Sequence, residues 1–405
     1  MEPSRYKSIC LPFESEAQYH MCVEDPAMFR QHIESVLTHH SELFPEAMPL
    51  GFRLHDQYWS VKQHVGLRRI KVTATGQVFQ IRPSFVLPYM VVRTEEVEKA
   101  SYRRQWGVPF DALAYVFGRD PMFWYRVWVA VGQASVVGAT VKTADQLPVH
   151  LAVDEKHTWV GAEKVYVPTT VAHECILGVT VVTDASTEAL TEGYGELVAE
   201  ARHMDADYCP QTVCADGWKA TREAWMRLVP TITIILCFLH SVLKIQDRCR
   251  EALRHTLTEK AWHVYHATTK SQFAQRLRRL REWATAHLTD GPVRHVVLRL
   301  CHYKPRFIQA YDFPRAHRTS NAVDRLLNQV DRLLYQMRYF HASTARARLA
   351  LRAIALLWNL HPYGCRLRRR ETTRVSPFVD LNGFQYHTNW LPNLLIASSM
   401  GGWKL

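Results

Sequence analysis

Between residues 151 and 236 the hydrophobic pattern changes period several times, and that order leaves few folds open. Three strand-length apolar runs come first, at 151–157, 164–172 and 176–183. Residues 187–203 then repeat at helical spacing, 211–215 reads as a short strand, 218–228 as a helix and 231–236 as a second short, buried strand. Three strands close enough to meander, followed by strand–helix repetition, predict an α/β domain in which βα units extend an antiparallel start.

That ordering is the one expected of a ribonuclease H-like fold, and it gives several acids a place. With a side-chain period of two, Leu151, Val153 and Glu155 face one side of the first strand, and Ala152, Asp154 and Lys156 the other. Asp154 shares its face with the small Ala152, which leaves room beside it. Asp216 ends the next strand in the same way, just before Gly217-Trp218. Ligand sites in open α/β sheets lie outside such strand ends. Two acids on neighbouring strands repel unless a cation lies between them, and Mg²⁺ prefers a few carboxylates with water and phosphate. A third acid is expected from a helix packed over the sheet. Asp324 stands near the first turn of a helix that Thr319, Ser320 or Asn321 can cap, and Asp331 follows on nearly the same face two turns away. Taken singly, each acid reads as a solvated strand end or as dipole compensation at a helix start. Jointly they read as a metal site.

The flanking sequence reads less sharply. Residues 1–60 look helical and irregular, with a helix over 27–40 whose apolar side carries Phe29, Ile33, Val36 and Leu37. Alternation at 69–73 and 78–82 around Thr75-Gly76 predicts a β-hairpin. Residues 94–131 predict three helices. Thr94 is the expected N-cap of the first, Gly118 a tight turn, and Asp120-Pro121 the start of the third. The layout fits a helix-turn-helix, from which Arg119 and Arg126 can reach DNA; a plain three-helix bundle reads the same way. Residues 132–148 read as a linker.

The formal net charge is +12. Residues 244–315 alone carry 15 Lys and Arg against 6 Asp and Glu, so a polyanionic partner is expected there. Within that segment Phe273, Leu277, Leu280 and Trp283 form one helical stripe, and Arg276, Arg278, Arg279 and Arg281 cover the other faces as expected phosphate contacts. Trp262 and Trp283 are candidates to stack on an unpaired base, with burial in the segment's own core as the alternative. Amphipathic helices then follow from 321 and over 345–358, before an arginine run at 366–370. Nine scattered cysteines show no disulfide rhythm, and Cys214 and Cys237 lie in apolar runs, which disfavours structural zinc. No apolar run approaches the roughly 18 residues needed to span a bilayer. A soluble, cytoplasmic protein is expected.

The segments "AVDEKHTW", "VCADGWKATREAW", "ILCFLHSVLKIQDR", "HRTSNAVDRLLNQVDR" and "NGFQYHTNWLPNLLIASSMGG" together resemble the DDE/DDD transposases of prokaryotic insertion sequences. The "RPSFVLPYM…WGVPFDALAYVFGRDP" stretch looks like their N-terminal DNA-binding region. Cys237-x2-His240 after the fifth strand, followed by a helical insertion, is similar to the Mutator-like superfamily. The resemblance implies a catalytic and metal-binding triad of Asp154, Asp216 and Asp324, with aspartate where most relatives carry glutamate. It implies two Mg²⁺ ions, for which Mn²⁺ can substitute, and active-site support from Cys237 and His240, with His317 and Asn321 nearby. Double-stranded DNA, as transposon ends and target, is the implied partner, engaged by a homodimer or larger assembly at the nucleoid. The implied division is an N-terminal region 1–93, a helix-turn-helix domain 94–147, a core 148–243, a basic insertion 244–316, core helices 317–362 and a tail 363–405. Two rivals share these features: a DNA-binding regulator without catalysis, and a nuclease that hydrolyses without joining.

Overall fold

The computed structural model describes residues 7–87, 90–341 and 343–403. It is an α/β protein with two sheets. The first is built from β1 (Ser8–Leu11), β2 (Phe52–Ser60), β3 (Val65–Val72) and β4 (Val78–Pro83), in the order β1-β4-β3-β2. The expected hairpin is its β3–β4 pair, antiparallel with Arg68 opposite Ile81, and Gly76 supplies the left-handed residue of the turn at φ 68°. The helices Glu16–Glu24 and Pro26–His39 accompany this sheet, and Tyr19 donates its hydroxyl to Gly66 O at 2.7 Å. Asp25 starts the second helix by accepting from the amides of Ala27 and Met28, with Pro26 at its first position. Residues 1–60, expected to be helical and irregular, therefore also hold two strands. β1 is four residues long, and β2 exposes most of its side chains, so neither shows a clean alternating period.

The three expected helices are present at Thr94–Gln105, Phe110–Phe117 and Pro121–Ala130. Thr94 does not cap the first: it is the first helical residue and is buried, while Arg93 holds the cap position without a side-chain bond. Asp120 does cap the third, accepting from Met122 N. Residues 132–148 are not a linker. Val136, Val137, Ala139, Thr140 and Val141 are buried, and a Cβ on Gly132 or Gly138 would collide with backbone oxygen of Leu349 or Gly402. Glycine is required there by close approach of chain to chain.

The second sheet comprises β5 (His150–Val160), β6 (Glu163–Ala172), β7 (Cys175–Val179), β8 (Thr212–Ala215) and β9 (Thr233–Leu236), in the order β7-β6-β5-β8-β9. β5, β6 and β7 are antiparallel, and β8 and β9 run parallel to β5. Leu151 and Val153 pack with the helices Thr187–Met204 and Lys219–Leu228, whereas Ala152 belongs to the cluster that includes the helices Asn321–Gln336 and Thr344–Leu360. The alternation read along β5 thus holds, with both faces covered. At the sheet edge, the Asn359 side chain pairs with both backbone groups of Ile176, closing an otherwise open strand.

Residues 238–308 leave the end of β9 as a helical excursion, Phe238–Arg248, Glu251–Tyr265, Lys270–His287, Pro292–His302 and Lys304–Ile308. It has its own core around Leu257, Phe273, Leu277, Leu280, Val297 and Phe307. The excursion closes on itself: Phe238 N donates to Arg318 O at 3.1 Å, and Ser320 N donates to Cys237 Sγ at 3.1 Å. The 363–405 segment, expected as a tail, is part of the core. Its helix Trp390–Ala397 is buried at nearly every position, and Ser399 Oγ joins Cys10 N to Leu43 O. Among the described residues no helix is long and apolar enough to cross a membrane.

Candidate metal centre

The site begins with register. Ala152 pairs with Cys214 across the parallel β5–β8 ladder, and Asp154 and Asp216 each stand two residues beyond that pair. The closed excursion then delivers the helix Asn321–Gln336 so that its first turn meets β5. Asp324 thereby reaches Asp154 although 170 positions separate them. Ligand atoms of Asp154, Asp324 and His240 all lie within 4.8 Å of one another. His240 comes from the first turn of the Phe238–Arg248 helix, directly after β9.

At that separation two ionised carboxylates repel by about 3 kcal/mol at an effective dielectric near 20. Burial pushes the Asp154 carboxyl up to about 7; the His240 charge opposes the rise, and the charges of Glu155 and Asp324 add to it. Glu155, on the opposite face of β5, is also held up to about 7 by burial, against hydrogen bonds from the Thr221 and Tyr194 hydroxyls. Glu155 is thus a satisfied acid in the helix-covered layer, and sequence alternation had already put it on that side.

Ser320 ties the site together. Its hydroxyl donates to Asp324 Oδ2 at 3.2 Å and lies 3.3 Å from both His240 Nδ1 and Cys237 Sγ. Cys214 beside it, and then His240, hold the Cys237 thiol far below its ordinary value, and Cys237 in turn raises His240. Cys237 is fully buried, so its sulfur is out of reach of a substrate carbonyl or phosphate. It positions His240 beside the two acids and holds its imidazole above the ordinary value. Ser320 was visible in the sequence only as one of three possible helix caps; its bonds to Cys237 and Asp324 depend on the closure of the excursion.

Asp216 is adjacent but outside this tight set. Gly217, at φ 94°, turns the chain so sharply that Asp216 accepts from Trp218 N at 2.7 Å. A Cβ at Gly217 would lie 2.4 Å from Leu236 Cδ1. The Asp216 charge nonetheless acts on both His240 and Glu155, raising each. Asp331 faces the sheet as expected but is bonded to Lys156, and so belongs to an ion pair. His317 is placed with His173 and His150 at the other end of β5, where burial and those two histidines lower it. Asn321 opens its helix as an exposed residue.

The other sequence candidates are not gathered at the acids. Arg119 is 3.6 Å from Glu96 and lies over the Phe123 ring, and Arg126 is exposed on a helix whose Trp124, Val127 and Trp128 are buried. Arg276 donates to His263 O, Arg278 is 3.5 Å from Glu282, and Arg279 and Arg281 are exposed. Trp262 packs on Phe238 and Tyr265, and Trp283 stacks on His287 with Lys260 over its ring. Both tryptophans are therefore half-buried in the excursion's own packing, the alternative raised by the sequence. The sequence matches no protein-family model and no curated protein.

Proposed function

We propose that the chain is a metal-dependent DNA strand-cleaving and strand-joining enzyme, a transposase of the DDE/DDD type. Support comes first from the convergence of Asp154 and Asp324, from distant parts of the chain, beside Asp216 on the next strand. The sheet order β7-β6-β5-β8-β9, with three antiparallel strands and two parallel additions, supports a ribonuclease H-like core carrying a helical insertion. The helices Thr94–Gln105, Phe110–Phe117 and Pro121–Ala130 support a helix-turn-helix reading only in their order, because the buried Trp124 and Trp128 also suit a packed bundle. The proposed division keeps the core and its insertion as read from the sequence, with DNA as partner and a dimer or larger assembly to hold two DNA ends.

The donor set fits Mg²⁺ or Mn²⁺. Two carboxylates, with a third in electrostatic range, match the oxygen preference of a hard cation. Bound divalent ions would activate water against a phosphodiester and stabilise the departing 3′-oxygen. Asp154 and Asp324 would hold the ions, and Asp216 would release the Trp218 amide to join them. Cys237 and Ser320 fix His240 at the acids' edge, where its ring can face the phosphate oxygens.

The test uses the full chain, labelled DNA carrying the inverted repeats that flank its gene, and a target plasmid in Mg²⁺ or Mn²⁺. Cleaved ends joined to target are expected. Asp154→Asn and Asp324→Asn should each drop both products to background while end binding persists. Cleavage without joining would leave a nuclease. Cleavage undiminished in both variants would remove the acids from the chemistry.

A further inference from the structure

The arginines that stand out in the sequence, Arg276 to Arg281, are absent from the lining of a cleft that reaches Asp216, where a different group of cations gathers. A cleft of about 500 Å³ opens between Asp216–Trp218, the end of β9 and the last helices of the excursion. Lys219 and Arg222 enter it from the Lys219–Leu228 helix, Lys244 from Phe238–Arg248, and Arg299 and Arg306 from the two helices opposite. Among the described residues, Asp216 is the one acid in its lining. Lys219 is 3.6 Å from Glu223, whereas Arg222, Lys244, Arg299 and Arg306 have no ion-pair partner among the described residues. The Arg299 Nε hydrogen bond to the Tyr303 hydroxyl, 3.3 Å, holds that hydroxyl below its ordinary value, and the charges of Arg299, Arg306 and Lys244 add to the effect.

We propose that this cleft holds the phosphodiester backbone of a single DNA strand and leads it past Asp216 to the Asp154–Asp324 centre, with Trp218 as the stacking surface for one base. The assignment rests on the DNA-cleaving reading above and names the part of the surface that serves it. Five cations spread over both walls exceed what one phosphate group requires and match a run of phosphates. Aromatic residues interleave with them, as in grooves that carry single strands. Arg299 and Arg306 already lie over the Tyr303 ring, at 5.6 and 5.2 Å, so Trp218, 39% exposed at the mouth, is the ring with a face to offer.

The experiment measures anisotropy of a labelled single-stranded oligonucleotide bound to the full chain in EDTA, across a salt series. Each cation lost from a strand-binding groove reduces the log–log salt slope by about 0.7. The doubles Arg299→Ala/Arg306→Ala and Arg222→Ala/Lys244→Ala should therefore each lower it by about 1.4 and weaken binding about tenfold or more. Arg299→Lys/Arg306→Lys should keep the native slope, which separates charge from folding. The outward triple Arg278→Ala/Arg279→Ala/Arg281→Ala should leave the slope unchanged. Trp218→Ala should weaken binding about tenfold at constant slope. Inorganic phosphate at equal phosphate concentration should not displace the strand. Native slopes in both cleft doubles, an equal loss in the outward triple, or displacement by inorganic phosphate would overturn the cleft assignment while native cleavage persists. A native chain that neither binds nor cuts DNA would instead remove the underlying reading.

Discussion

Two regions of the molecule bury acids next to one another, and they resolve the repulsion in opposite ways. In one, Arg352, 5% exposed, lies 2.5 Å from Glu200 and 3.4 Å from Glu196, and it also donates to the carbonyls of Gly132 and Ala134. Glu200 accepts further bonds from Ser135 Oγ and Val137 N, and Glu196 from Thr180 Oγ1. In the other, Asp154 and Asp324 meet His240 within 4.8 Å, and neither acid has a Lys or Arg ion pair among the described residues. The first cluster is complete within the chain and ties the 132–148 segment to two helices. The second is left short of positive charge at a sheet end, beside an open basic cleft. The first cluster serves the fold; under the proposed function, the second serves a ligand that brings the missing charge.

The largest effect expected from breaking this contrast is at Arg352. Arg352→Met leaves Glu196 and Glu200 buried without their shared cation, a class of change that costs about 3–5 kcal/mol. Urea unfolding at neutral pH should show a loss in that range, and added Mg²⁺ should not restore it. A loss under 1 kcal/mol would mean that water or Arg348, 2.6 Å from Glu196, compensates.

The acid centre should respond in the opposite direction. Asp154→Asn or Asp324→Asn removes one of two repelling charges, so the metal-free protein should gain about 1 kcal/mol. Native protein should instead be stabilised by divalent ions, by about 2.7 kcal/mol when Mg²⁺ is a hundredfold above its dissociation constant. Thermal melting with and without Mg²⁺ reads both effects. Destabilisation of the metal-free variants, with the Mg²⁺ response intact, would make the acids a structural network like that of Arg352.

This contrast was only half legible in the sequence. Asp154 was, because a side-chain period of two puts it on the same face of β5 as the small Ala152. The order and type of the elements from β5 to β9 followed from the same periodicity. Glu196, Glu200 and Arg352 gave no signal, since each sits on a helix that reads as ordinary amphipathic surface. Their burial arises from the packing of residues 132–148, whose short apolar runs broken by Gly132 and Gly138 read as a linker. The basic cleft was illegible for a related reason. Lys219, Arg222, Lys244, Arg299 and Arg306 are scattered over nearly ninety positions and converge only when the excursion folds back at Arg318. The Arg276–Arg281 run was conspicuous because it is local, and the helix that carries it turns its cations to solvent. β1 and β2 were missed because a four-residue strand and an exposed edge carry too little hydrophobic pattern.

The smallest effect is the one that separates helix position from site membership. Asp331 and Asp324 share a face of the same helix, yet Asp331 is bonded to Lys156, with both side chains about one-third exposed. An ion pair of that exposure contributes at most about 1 kcal/mol. Asp331→Asn should therefore cost less than 1 kcal/mol and leave both the Mg²⁺-induced shift in melting temperature and DNA cleavage at native levels. Lys156→Met should match it in stability, because each variant breaks the same pair. If Asp331→Asn abolished the Mg²⁺ shift, Asp331 would exchange Lys156 for the ion, and the centre would extend two turns along the helix. If the shift persists, what distinguishes Asp324 is not its helix face but its place in the first turn, where Ser320 and Cys237 bind the two ends of the excursion together.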